Sequence, residues 1–176
     1  MLKVKSGDLN RMGLLFERYH RELFGFLYHM SSHADASEDM VQTVFYRMLK
    51  YRHTFTGEGE FRTWMYHLAR NVLIDSEKQN RRSAQQYDVQ AYAERIGGGP
   101  LADESLHKEQ EMALLQEALG RLSADHREVL VMSRYQELTY NEIARILDTT
   151  EGAIKVRVHR AMNELKKIYL NSEYER

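Results

Sequence analysis

The sequence predicts an all-α protein: two small helical domains joined by a flexible linker, the C-terminal one containing a helix-turn-helix. Three observations carry this. Apolar residues recur at helical spacing through almost every periodic segment, and no alternating apolar/polar run marks a strand. Between Asn80 and about Glu109 the periodicity decays, and Gly97-Gly98-Gly99-Pro100 breaks it outright. Beyond that break, helical spacing resumes with a short helix, a three-residue turn and a longer helix.

The first helix is expected from about Asp8 to Met30, with Leu14, Leu15, Tyr19, Leu23, Phe26 and Leu27 as its apolar side. Asp35-Ala-Ser-Glu38 has the shape of a capping box and opens a second helix carrying Met40, Val44, Met48 and Tyr51. Thr56 to Glu60, with its two glycines, reads as a loop. A third helix follows from about Phe61 to Lys78, with Trp64, Met65, Leu68 and Val72 inward. A short helix is expected near Tyr92 within the linker. Four more helices follow, at about Glu109–Arg121, Ala124–Gln136, Tyr140–Leu147 and Glu151–Leu170. The domains are therefore 1–82 and 109–176, with a linker at 83–108.

Composition removes several function classes. The 176 residues include 43% hydrophobic and 29% charged side chains, a globular balance. With no cysteine, there is no disulfide scaffold, thiolate metal site or cysteine nucleophile. The N-terminus lacks the apolar core of a signal peptide and no 18-residue apolar run exists, so a soluble, cytoplasmic protein is expected. A net charge of −1 argues against generic polyanion binding, so any nucleic-acid surface must be local. Such a stripe lies between Gly152 and Ile168, where Lys155, Arg157, Arg160, Lys166 and Lys167 face only Glu164 in opposition.

Thr139-Tyr-Asn-Glu142 is a second capping-box shape, and Asp148-Thr149-Thr150 is the turn before the longer helix. These are the dimensions of a DNA-binding helix-turn-helix. At about 100° per residue, Ile154, Val158, Ala161, Leu165 and Ile168 fall within about 40° of one line. Lys155, Val156, His159 and Arg160 lie away from that stripe, and Arg157 borders it. Packing does not explain an apolar Val156 there, whereas a thymine methyl in the major groove does. A solvated charged face on a core helix is the alternative.

In the first domain, Phe55, Phe61, Trp64, Tyr66 and His67 interleave with Arg62, Arg70, Lys78, Arg81 and Arg82. Aromatic rings can stack on unpaired bases while cations follow phosphates, and a glycine-containing loop can form a pocket for a flipped base. Trp64 and Leu68 at helical spacing also fit a core. Met40, Val44 and Met48 fit either a core or a docking face, the core being the better match. His29 and His33 stand four apart with Glu17, His20 and Glu22 nearby, which admits a helical metal site, although surface histidines explain the pattern as well. No P-loop, nucleophile elbow or dinucleotide fingerprint is present.

Two stretches resemble bacterial extracytoplasmic-function (ECF) sigma factors. One is Ala36-Ser-Glu-Asp-Met-Val-Gln-Thr-Val-Phe45 followed by Phe61-Arg-Thr-Trp-Met-Tyr-His-Leu-Ala-Arg-Asn-Val-Leu-Ile-Asp75. The other is Leu122-Ser-Ala-Asp-His-Arg-Glu-Val-Leu130, then Leu138 to Ala144 and Glu151 to Ala161. The resemblance implies a dissociable RNA polymerase subunit that recognises promoters and helps open them, without an enzymatic step or a cofactor of its own. It implies docking on the clamp helices of the largest subunit through Glu38, Asp39, Gln42 and Phe45. It also implies capture of a −10 base by Phe55, Thr56, Gly57, Arg62, Arg70 and Asn71. The −35 element would be read by Thr150, Gly152, Lys155, Val156, Arg157, His159 and Arg160, with this domain also on the polymerase flap. Core RNA polymerase and promoter DNA are the implied partners, an anti-sigma factor is a further one, and no small-molecule substrate is expected. Where relatives often carry Thr and Ser, this chain has Ala153 and Val156, which removes two hydroxyl contacts. The rivals are a stand-alone operator-binding regulator, which would need two-fold half-site recognition, and the helical metalloenzyme.

Overall fold

The computed structural model describes residues 1–58, 60–86 and 103–174. Helix α1 is a single turn, Leu2–Lys5, followed by α2 (Arg11–Ser31) and α3 (Ala34–Lys50). A 3-10 turn at Arg52–Thr54 leads through a loop into α4 (Phe61–Gln86). The second half comprises α5 (Asp103–Arg121), α6 (Ala124–Leu130) running into a π turn at Val131–Tyr135, α7 (Tyr140–Ile146) and α8 (Glu151–Tyr174). No strand occurs among the described residues.

Helices α2, α3 and α4 pack as a three-helix unit because each carries an apolar stripe: Leu23, Phe26 and Leu27 on α2; Met40, Val44 and Met48 on α3; Met65, Ala69 and Val72 on α4. The three α3 residues are thus core, as their spacing favours. In the second unit, α8 lies across α5, α6 and α7 with Ile154, Val158 and Ala161 fully covered. The stripe read from the sequence is the stripe that packs.

Three local expectations need correction. The capping box at Asp35–Glu38 does not form, because α3 begins two residues earlier with His33 as N-cap. Ser37 turns back instead, donating to the His33 carbonyl at 2.6 Å. Helix α4 runs on to Gln86 and α5 starts at Asp103, so helix occupies both ends of the expected linker. The glycine-proline break and the expected helix near Tyr92 lie outside the described residues. The helix expected to Gln136 is α-helical only to Leu130. Beyond it the chain widens to π geometry, with Gln136 N–H donating to the Val131 carbonyl.

The two units are not separate bodies. Their cores merge into one hydrophobic cluster that runs from Leu23, Phe26 and Met30 to Leu119, Leu122 and Val129. Arg127 ties the ends of two helices across this seam. Its guanidinium donates to the carbonyls of Leu119 and Gly120 at the end of α5 and of Met30 at the end of α2. A cation at two helix C-termini meets the partial negative charge of both.

Candidate nucleic-acid interface

The turn between α7 and α8 is built as its residues dictate. Thr139 accepts from the Glu142 N–H while Glu142 accepts from the Thr139 N–H at 2.7 Å, a complete capping box. Asp148 takes the left-handed conformation (φ 50°), which a short polar side chain tolerates. Thr150 then caps α8 by accepting from the Ala153 N–H at 3.2 Å.

Along α8, Gly152, Lys155, Val156, His159 and Arg160 are exposed, with Val156 at 50%. Thr150 shares that exposed end, and its hydroxyl already serves as the cap. Arg157 is half-buried, on the side of Glu128. His159 pairs with Asn163 one turn on, at 3.1 Å. The face is thus basic at its N-terminal half with one apolar residue in it, and it stays open while the two units are packed together.

The candidate −10 residues divide. Four residues make a turn on α4, so Arg62, Tyr66 and Arg70 share one stripe while Asn71 lies on the opposite side. The first stripe faces the second unit. Arg62 donates to Glu22 at 2.7 Å and to the Gln136 carbonyl at 2.7 Å. Tyr66 is fully buried, so its hydroxyl requires partners: it donates to Glu22 at 2.8 Å and accepts from the Gln136 amide nitrogen at 2.9 Å. In that orientation the Gln136 oxygen accepts from the Phe26 N–H. Burial and the Glu22 carboxylate push the Tyr66 phenol far above its ordinary range. Arg70 donates to Glu128 at 2.9 Å; burial raises the Glu128 pKa, and Arg70 works against that rise.

The other side of α4 is open. Asn71 lines a cleft of about 570 Å³ with Thr54, Tyr51, Leu68, Arg47 and Lys78. A second cleft of about 430 Å³ is lined by Thr54, Phe55, Thr56, Thr63, Trp64 and His67 among others, so Thr54 belongs to both. Gly57 sits at φ 85°, a conformation suited to glycine, and shapes this loop. Phe55 itself is buried, its ring packed on Trp64 (5.4 Å) and Phe61 (6.1 Å). It shapes the cleft rather than offering a free stacking face. Tyr66, grouped in the sequence with base-stacking aromatics, belongs to the core. The cleft is also edged by Arg145 of α7, whose carbonyl meets His67 at 3.0 Å.

Of the candidate docking residues, Glu38, Asp39 and Gln42 are exposed on α3, and Phe45 is not. Phe45 is 8% exposed and packs against Phe16 at 4.9 Å, so its ring is core and only its neighbours can meet a partner. Glu38 and Gln42 rim a cleft of about 330 Å³ with Phe16, His20, Phe24 and Val41. His29, weighed as a metal ligand, instead bonds Gln116 at 2.7 Å and packs at a tilt against the Tyr135 ring, and burial lowers its pKa. Glu128 and Gln136 were not singled out in the sequence, and Glu22 was weighed only beside the histidines of a metal site. The stripe Arg62-Tyr66-Arg70 was the available signal, since two arginines flanking a tyrosine at helical spacing call for acidic partners.

Residues 15–83 match the family model described as Sigma-70 region 2, and residues 112–165 match Sigma-70, region 4. The two stretches, in this order, take in most of the chain. It belongs to the ECF family of RNA polymerase sigma factors. The ECF sigma factor SigX of Bacillus subtilis is 29% identical over 88% of this chain and 81% of its own length. The sigma factor YlaC of the same organism is 27% identical over 92% and 93%. The fold is similar to that of Bartonella quintana RpoE, solved in complex with the anti-sigma factor NepR. There the TM-score is 0.71 at 24% identity, covering 89% of this chain and 94% of that one. This sigma factor therefore binds core RNA polymerase and promoter DNA and acts in transcription initiation. Region 2 is the α2–α4 unit and region 4 is the unit closed by α8. Among the described residues, no helix is long and apolar enough to cross a membrane.

Proposed function

We propose that α8 reads the −35 element in the major groove, Lys155, Val156, His159 and Arg160 reaching base edges and phosphates while Thr150, Gly152 and Arg157 border the contact. The observation that carries this is the exposed basic face at the N-terminal half of α8, with Val156 exposed opposite a fully packed stripe. The −10 element is assigned to the clefts around Thr54. Phe55 and Gly57 shape the loop, Thr56 and Asn71 supply polar contacts, and a base leaves the stack to enter. Arg62 and Arg70 serve DNA only when regions 2 and 4 separate, because both guanidiniums are engaged at the seam.

Glu38, Asp39 and Gln42 dock on the polymerase clamp helices, and region 4 also meets the flap. An anti-sigma partner would compete for these surfaces. The chain makes and breaks no bond itself: binding energy is converted into strand separation, in the cytoplasm, where polymerase acts. Near-zero net charge suits this division, since polymerase rather than bulk electrostatics delivers the protein to DNA.

The test is transcription in vitro from a fragmented genomic library by sigma-free core polymerase, with and without this protein. The expected result is new transcripts sharing a two-part upstream element. No new transcripts, together with tight operator binding by the protein alone, would replace this reading with that of an independent regulator.

A further inference from the structure

Helix α1 is one turn long, too short to hold its shape alone. Two contacts hold it. Val4 is fully buried, with α1 packed against α2 and the 3-10 turn, and Lys5 reaches across to donate from Nζ to the Phe55 carbonyl at 2.7 Å. Phe55 is where the −10 loop begins. The burial of Val4 fixes the rotation of α1, and that rotation aims Lys5 at the loop entrance. On the same side, Leu2 overhangs Gly57: a Cβ added there would lie 2.9 Å from Leu2 Cδ2. The loop's entry is thus clamped from two directions. From within region 2, the Phe55 ring is held by Phe61 and Trp64, and Trp64 Nε1 donates to Thr54 at 3.2 Å. From outside, among the described residues, α1 holds the carbonyl and the left-handed glycine. A charged donor on a partly buried carbonyl is stronger than a neutral one.

We propose that Lys5 is a positioning residue for −10 recognition: by gripping the Phe55 carbonyl while Leu2 covers Gly57, α1 holds the loop in its base-accepting shape. Lys5 then acts through the loop, without touching DNA, and tunes which unpaired base the cleft retains. This rests on the assignment of the Thr54–Glu60 region to the −10 element.

The experiment uses the full chain with core polymerase and a fork-junction DNA pool randomised over the −10 positions. Base enrichment is read position by position in the bound fraction, alongside core-polymerase affinity, thermal melting and the salt dependence of binding. In Lys5→Met, enrichment at the captured-base position should fall by about tenfold, the equilibrium weight of one charge-assisted hydrogen bond. Other positions, the salt slope and core affinity should hold. Lys5→Arg should restore the profile, and Leu2→Ala, which keeps Lys5, should weaken the same position to a smaller degree. A purely structural role would lower the melting temperature and leave the profile unchanged; that result overturns the proposal. So does a uniform loss at every base with a salt slope lower by about one, the mark of a phosphate contact. Thr56→Ala, within the loop, separates the two levels of inference. If it alters the captured position and neither Lys5→Met nor Leu2→Ala does, the proposal fails and the loop assignment stands. If none of the three alters any position, the loop assignment fails and takes the proposal with it.

Discussion

Removing the Arg70 guanidinium should loosen the seam between regions 2 and 4 more than its half-exposed position suggests. The Glu128 side chain keeps only 9% of its exposure while that of Arg70 keeps 35%. In Arg70→Ala the exposed partner leaves and the buried carboxylate stays, so the loss is mainly the cost of an unpaired buried charge. Such losses run to about 3–5 kcal/mol for fully buried pairs, and solvent screening at Arg70 together with Arg157 nearby brings the expectation to about 2 kcal/mol. The protein has no cysteine, so dyes can be placed at two introduced ones. Tyr46 in region 2 and Met162 in region 4 are exposed and lie off the seam. Energy transfer between them, followed in urea, reports separation of the units. With a slope of about 2 kcal/mol per molar, the midpoint should fall by about 1 M in Arg70→Ala. Arg70→Met with Glu128→Leu should recover most of that loss, since an apolar pair leaves no charge stranded.

The pH dependence of the seam has a definite sign. The Glu128 pKa is raised in the packed state by burial, so the packed state binds more protons than the separated one above the ordinary carboxylate range. The contribution of Glu128 is therefore most favourable below its ordinary pKa and declines as pH rises through the raised one. Arg70 holds that rise down, so Arg70→Ala should push it higher and steepen the decline. An unchanged midpoint in Arg70→Ala, or stability rising with pH through this window in the variant relative to wild type, would refute the electrostatic account of the seam.

Three further outcomes can be checked directly. Lys155→Ala should weaken initiation at −35-dependent promoters by about 1–3 kcal/mol if it reads a base, or lower the salt slope by about one if it holds a phosphate; filter binding across a salt series separates these. Asn71→Ala should impair strand opening, scored by permanganate reactivity, more than closed-complex binding; equal and small effects from both variants would contradict the division of labour between regions 4 and 2. Thr139→Ala removes the side-chain half of the α7 capping box and should cost region 4 about 1 kcal/mol, seen as a lower melting temperature.

The exposed basic face of α8 was legible because one period governs it. Ile154, Val158 and Ala161 pack, so Lys155, Val156, His159 and Arg160 must face outward, and no distant contact alters that. The Thr139–Glu142 box was legible for the same reason, since donor and acceptor are three residues apart. Asp35–Glu38 has the same spelling and failed, because His33 ends the preceding turn in extended conformation and places Asp35 inside the helix. Phe45 could not be separated from Glu38 and Gln42 by spacing alone: its ring is claimed by Phe16 on another helix. Helix α1 escaped notice because four residues carry no period, and its stability comes from Phe55, fifty positions away. The seam was invisible for a related reason. Gln136 reaches Tyr66 because the chain widens into a π turn after Leu130, and a search at 3.6 residues per turn cannot see that change of register.

The division of α4 into two stripes bears directly on how this sigma factor engages DNA. Arg62, Tyr66 and Arg70 are committed to region 4 and to Glu22, whereas the cleft lined by Asn71 and Thr54 remains open on the far side and the second Thr54 cleft is edged by Arg145 of region 4. If these groups serve DNA as proposed, the packed arrangement leaves the base-contacting ones accessible in both regions while occupying the guanidiniums of Arg62 and Arg70. Glu22 and Glu128 hold these guanidiniums, so each hydrogen bond to them would have to be exchanged before Arg62 or Arg70 could reach a strand. Both donors are charged and partly exposed, so the exchange replaces one anion by another instead of stripping a cation bare.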